Sequence, residues 1–375
     1  MKISAKELDY IIEGCKILSC GMINIFKSDI KAAKKAIEEH GNIELTDKFC
    51  EDGYACEVYS IRPFVPKVFY KLKKPKDISL DLKVKAIRIL EDMIDGKVRA
   101  LYIPNIECKS LLTAITLSAT LKIPLLDADG VGRGVPEIKH HILILHGKKL
   151  TPSIMVDSSG MIMAILDYPS EIQYDRVFRR ICEVSNSMFI VNGTLRLKEA
   201  GKLLLRNSLT ECLKLGEALH KAREKGKEPA YTIAEVLGGK VIFKGLITNV
   251  NLDVEQGFLV GSFMIRSLDD KHWMEILVKN TTVMAYFEGK VVVLPPDLIV
   301  ICDKNGNAIS NAQIEKGIEV YVIAAPARNI WRSNKGLTIL GPKGFDIPYK
   351  YTPVEQLISK IPEKVLEEIL TAKPT

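Results

Sequence analysis

VRALYIP (98–104), KSLLTAITLSATLK (109–122) and IPLLDADG (123–130) decide the fold. The first is a short apolar run with β-branched residues. The second is longer and carries helix formers. The third is apolar again and stops at a glycine. Strand, helix and strand in that order predict a parallel pair joined by a right-handed crossover, and so an α/β domain at the amino-terminal end.

The flanking segments extend this reading. Helical spacing is predicted over 5–20, where Leu8, Ile11, Ile12, Cys15 and Leu18 share one stripe, and over 28–40, with Ser28 or Asp29 as cap. A further helix is predicted at 79–95 and strands at 54–61, 67–72, HILILHG (141–147) and SIMVD (153–157). Asp157 then opens an Asx-turn. Helical patterns dominate 195–237. Beyond Gly238–Gly239 the runs are short, β-rich and separated by turn residues, from KVIFKGLITNV (240–250) to IEVYVIAA (318–325). They predict a carboxy-terminal β-rich sandwich or barrel-like domain. The expected division is 1–170 for the α/β domain, 171–355 for a helical connection plus the β-rich domain, and 356–375 for a helical tail.

Composition narrows the function classes. The 375 residues carry 53 Lys+Arg against 46 Asp+Glu, a formal charge of +7. That mild excess lacks the clustering of a nucleic-acid binder, and the lysine-rich stretch 66–77 reads as a solvated edge. The eight cysteines form no C-x-x-C pair, so neither a zinc finger nor a disulfide scaffold is expected. No apolar signal core or 18-residue apolar run occurs, which makes a cytoplasmic protein with no membrane partner the expectation. Cys15, Cys182 and Cys212 lie in apolar helical runs and are expected in the core. Cys20 and Cys108 sit beside helix breakers and are the candidates for a nucleophile.

The chemistry concentrates in LLDADGVGRGVPEI (125–138). Strand alternation puts Asp127 and Asp129 on one face. Gly130, Gly132 and Gly134 permit positive φ and close approach of a ligand. Arg133 supplies a planar cation, and Glu137 follows a proline. Two carboxylates beyond a parallel strand suit acid–base work or a divalent metal, with Asp127 and Asp129 as its only candidate ligands and no cofactor required. The plain alternative is a tight turn whose aspartates cap neighbouring amides. The histidines are read as structural. His140 and His146 would share a strand face but lie too far apart to grip one metal, and either could carry protons if the fold brought it to the aspartates.

Asp127-Ala128-Asp129-Gly130, Gly132-Arg133 and Pro136-Glu137 resemble the signature of the S-methyl thiohydantoin desulfurases, a family formerly of unknown function and associated with hydantoinases. Asn192-Gly193-Thr194, Gly257-Phe258 with Gly261, Pro296-Asp297-Leu298-Ile299 and Gly341-Pro342 with Phe345 extend the likeness along most of the chain. The resemblance implies an α/β part followed by a β-rich part. It also implies hydrolysis of a small cyclic thioimidate or amide, with release of a thiol or opening of the ring. Residue chemistry then makes Asp127, Asp129 and Glu137 the catalytic candidates and Arg133, Gly130, Gly132 and Asn280 the substrate-binding ones, and a homo-oligomer is expected. Three stretches depart from the family pattern. The glycine-rich amino-terminal loop reads Leu18-Ser19-Cys20-Gly21-Met22-Ile23-Asn24, a Glu-Ile-Gly-Gly-like segment reads Ile103-Pro104-Asn105-Ile106-Glu107, and an Asn-Glu pair reads Asn280-Thr281. The departures admit a non-catalytic paralogue that binds a small metabolite. A metal-dependent amide hydrolase is a third reading.

Overall fold

The computed structural model describes residues 1–49, 52–65 and 76–373. The chain gathers into two compact units. Of the described residues, one comprises 1–15, 24–49, 52–64 and 76–213, the other 16–23, 65 and 214–373.

The first unit is built on a mixed sheet. Its strands are β1 (Lys2–Ile3), β2 (Ile43–Thr46), β3 (Tyr54–Ile61), β4 (Val98–Ile103), β5 (Leu125–Asp129), β6 (Ser153–Asp157), β7 (Ile162–Ile165), β8 (Met188–Arg196) and β9 (Leu205–Arg206). The order is β1-β2-β5-β4-β3-β8-β6-β7, with β9 added alongside β5. β2, β5, β4 and β3 run parallel to their neighbours within that set, and the other pairings are antiparallel. The expected crossover is present: helix Cys108–Leu121 joins β4 to β5. Glu107 caps it by accepting Lys109 N and Ser110 N, each at 2.8 Å. In helix Lys27–His40, Asp29 accepts the Phe26 amide at 2.8 Å, so it stands at the third helical position and reaches back.

One expectation changes. HILILHG is a 3₁₀ turn (Ile138–His140) followed by one α-helical turn (Ile142–Leu145), and forms no strand. Short apolar runs look alike as strand or buried helix. Here His141 Nδ1 accepts Leu143 N at 3.1 Å, and Ile142 N donates to Gly130 O at 2.8 Å, which ties the segment to the loop after β5. By spatial contact, β8 pairs with both β3 and β6, and 171–213 gathers with the first sheet. The strand expected at 67–72 lies outside the described residues, as does most of the lysine-rich stretch.

The second unit holds one antiparallel half-barrel sheet, where a sandwich was the other expectation. Its strands are β10 (Lys240–Glu255), β11 (Phe258–Ser267), β12 (Trp273–Lys279), β13 (Thr281–Phe287), β14 (Lys290–Val293), β15 (Leu298–Cys302) and β16 (Glu319–Ala325), in the order β14-β13-β12-β11-β10-β16-β15. Alternate residues such as Phe243, Phe263, Ile276 and Val322 make its core. Helices Val354–Ile358 and Glu363–Thr371 seat Val354, Ile358 and Ile369 in the same core, so the tail packs as part of this unit. Among the described residues, no helix is long and apolar enough to cross a membrane.

Candidate active site

β5 is buried at every position and ends on its two carboxylates. Both meet the start of helix Ser208–Glu224. Asp127 Oδ1 accepts Leu209 N at 2.9 Å and Thr210 N at 3.0 Å, and its Oδ2 accepts the Thr210 hydroxyl at 2.5 Å. It thus satisfies amides that the helix leaves open at its positive end. Asp129 accepts Val131 N at 3.0 Å, Gly132 N at 2.7 Å and the Ser208 hydroxyl at 2.5 Å. The capping alternative therefore describes where both side chains are bonded. Among the described residues, no group of three or more His, Cys, Asp or Glu is placed to hold a metal ion.

The glycines of the loop serve different ends. Gly132 takes φ +81°, which lets its amide turn back to Asp129. Gly130 and Gly134 are absent from the positive-φ region. Gly130 is required by contact instead: a Cβ there would lie 1.8 Å from His141 Nε2. Arg133 is buried and its Nε donates to Gly134 O at 3.2 Å.

That contact leads to a cleft. It lies beyond the carboxyl ends of β4 and β5, where Pro104, Asn105, Val131, Val135 and Glu137 line it. Glu57, in the middle of β3, and His141 form its floor. His141 Nε2 stands 3.0 Å from Glu57 Oε2. Because His141 Nδ1 accepts the Leu143 amide, the neutral ring carries its proton on Nε2, and although Nε2 and Glu57 Oε2 stand close, neither has a hydrogen-bond partner of good geometry among the described residues. Asn192 Nδ2 donates to Glu57 Oε1 at 2.8 Å, and Tyr174 donates its hydroxyl proton to Ser153 Oγ at 3.0 Å beside them. Burial raises the phenols of Tyr59, Tyr102 and Tyr174 above their ordinary value, so all three remain donors. Asn105 Oδ1 is buried, with no hydrogen-bond partner among the described residues. The free space is about 20 Å³, room for about one water.

Of the residues singled out in the sequence, Glu137 lines this cleft, with Lys139 Nζ 3.3 Å from its Oε1. Gly130 supports its histidine. Asp127 and Asp129 are not among the residues that line it. Asn280 belongs to the second unit, at φ +54° between β12 and β13, where its Oδ1 accepts Leu259 N at 2.8 Å. Cys20 and Cys108 are both fully buried, which removes the partly exposed setting a nucleophile needs. Cys108 Sγ lies 3.3 Å from Cys15 Sγ, and the Cys20 thiol points at Leu18 O at 3.5 Å. Asp157 makes the expected Asx-turn, accepting Ser159 N and Met161 N, each at 2.9 Å. Glu57 and His141 were not anticipated as a pair. The usable signal was Glu57 itself, the one charge in the apolar strand YACEVYSI.

Comparison with known proteins agrees with this architecture. The family model described as "S-Me-THD-like, N-terminal domain" matches residues 6–167, and "S-Me-THD-like, C-terminal domain" matches 169–354. These sequence domains meet near 168, whereas the spatial units meet after Leu213. No curated protein matches the chain. An X-ray crystal structure of a protein from Chromobacterium violaceum is similar in fold, with a TM-score of 0.71 at 18% identity, covering 94% of this chain and 100% of that one.

Proposed function

The chain belongs to the S-Me-THD-like family, and from that premise we propose that it hydrolyses a small cyclic thioimidate of the S-methyl thiohydantoin type, releasing a thiol, at the cleft above Glu57. The observation that carries this reading is the buried Glu57–His141 pair at 3.0 Å, set beside the signature loop. Glu57 takes a proton from a water molecule. The water oxygen attacks the ring carbon that bears sulfur. The tetrahedral adduct collapses, the carbon–sulfur bond breaks, and the sulfur leaves as a thiol with the proton held by Glu57. The second water proton ends on the ring nitrogen, so one water is consumed and one carbonyl formed.

His141 Nε2, 3.0 Å from Glu57 Oε2, steadies the carboxylate electrostatically as its charge changes. Asn192 fixes the orientation of Glu57. Asn105 Oδ1 accepts a ring N–H, and Glu137 serves as the second acid or base at the mouth. Arg133 acts through the loop backbone that it braces.

Thiol release from S-methyl thiohydantoins tests the proposal. Glu57→Gln is expected to lower kcat by about 10²–10⁴-fold, the usual worth of a positioned general base. Unchanged kcat in that variant would remove Glu57 from the mechanism. A second reading, a metabolite-binding paralogue without turnover, draws support from 18–24. Gly21 packs so tightly that a Cβ would lie 2.5 Å from the Asn311 amide, and Cys20 O accepts Thr282 N at 2.9 Å. This stretch is spent on packing. Calorimetric binding of the hydantoin ring with no thiol or ring-opened product would select that reading.

A further inference from the structure

A second cavity, of about 290 Å³, opens beside helices Lys27–His40 and Cys108–Leu121, away from the Glu57 cleft. Its inner end is a charge cluster. Arg62 grips Asp29 with two bonds, at 2.7 and 2.9 Å. Lys109 Nζ reaches Asp29 at 2.8 Å and Asp77 at 3.1 Å. Lys83 Nζ stands 3.6 Å from Asp77, beyond hydrogen-bond distance. Arg62, Lys83, Lys109 and Asp29 are all buried, at 4%, 7%, 3% and 4% exposure, while the Asp77 side chain is 46% exposed. Buried Glu107 is a further carboxylate within electrostatic reach of Lys109, so the cluster as a whole carries no clear excess of cations, and Lys83 is the buried ammonium that has no carboxylate at hydrogen-bond distance among the described residues. Holding such a group out of water is costly, and an anion of matching size relieves that cost.

We propose that this cavity binds a small oxyanion, a phosphate or carboxylate group, held by the ammonium groups of Lys83 and Lys109. Lysine suits the task as a point charge with rotatable donors. The volume suits a small metabolite. Burial, then the neighbouring Lys109 and Arg62, depress Lys83 to about 8, against the pull of Asp77 and Asp29. Lys35, Glu39 and His40 of helix Lys27–His40 also face the cavity, and Lys35 pairs with Glu39 at 3.4 Å. An arriving anion favours protonated Lys83, so binding weakens as the pH rises through about 8.

The test is titration of the whole protein with inorganic phosphate and, separately, with succinate, by calorimetry and thermal shift, with chloride at matched ionic strength as control. One or both oxyanions are expected to raise Tm where chloride does not, and the preferred one identifies the group. Lys83→Met is expected to weaken that binding at least tenfold and to abolish its change near pH 8. Thiol release or hydantoin-ring binding at the Glu57 cleft shows that the variant is folded and reports on the other site independently. Equal shifts from chloride and both oxyanions, or full affinity in folded Lys83→Met, would overturn the proposal.

Discussion

Gly130 and His141 touch so closely that no side chain fits between them: a Cβ on residue 130 would lie 1.8 Å from His141 Nε2. This contact joins the signature loop to the cleft. The same ring nitrogen faces Glu57 at 3.0 Å, so the loop backbone and the carboxylate hold the imidazole from two sides. Gly130→Ala must push the ring off Glu57. We expect a folded protein destabilised by about 1–3 kcal/mol, the usual cost of overpacking, with a larger fall in kcat than in substrate affinity. Urea unfolding and steady-state kinetics measured together check this, and an alanine variant with wild-type kcat would break the link.

Asp127 and Asp129 separate support from chemistry. Asp127 bonds two amides and a hydroxyl at the head of helix Ser208–Glu224. Asp127→Ala is expected to lose about 1–2 kcal/mol, as for a lost helix cap, and to keep most of its kcat once folded. Asp129 shapes the loop that carries Gly130, so Asp129→Ala is expected to lose stability and kcat together. The contrast is read from unfolding midpoints beside turnover. If Asp127→Ala abolished kcat in a folded protein, Asp127 would belong to the chemistry after all.

Much of this was legible in the chain. The β4–helix–β5 crossover showed itself because period and length agree in all three pieces. The signature loop showed itself because one turn seldom needs two aspartates, three glycines and an arginine. What the loop does was less legible. Asp127 and Asp129 look like acid and base until Ser208, Leu209 and Thr210 arrive from a distant helix to fill their oxygens. His141 looked like part of a strand because Ile142–Leu145 is uniformly apolar, and only tertiary contact with Gly130 decides its turn. The β-rich runs predicted strands correctly, but pairing order separates one half-barrel sheet from a sandwich, and pairing is non-local.

Two buried carboxylates predict opposite pH behaviour. Burial raises Glu107 to about 6, despite the amides it accepts, so the folded state holds that proton more tightly than the unfolded chain. Its contribution is fully present below about pH 4.5 and lost as pH rises through 6, about 2 kcal/mol in all. Asp29 is lowered to about 2, because the opposing pull of Arg62 and Lys109 outweighs its burial. Its contribution is present above about pH 3.8 and lost as pH falls through 2. Urea midpoints of Glu107→Gln and Asp29→Asn, each subtracted from wild type across pH 2–7, are expected to slope in opposite directions over these two windows. A flat difference for either residue would refute its assignment.

The cysteines give the last prediction. Cys15, Cys20 and Cys108 are all fully buried, and burial, reinforced by Cys108 and Cys212, holds the Cys15 thiol well above its ordinary value. A fully enclosed thiol neither attacks nor is attacked. These three positions are therefore expected to resist maleimide labelling in the native protein and to label on unfolding in urea. Cys20→Ala and Cys108→Ala are expected to keep kcat within a few-fold while losing about 1 kcal/mol each from the small cavities left behind. Peptide mapping after a timed maleimide pulse reads the labelling. Rapid native labelling of Cys108 or Cys20, coupled to loss of thiol release, would return that cysteine to the mechanism and displace Glu57 as the group that activates the attacking atom.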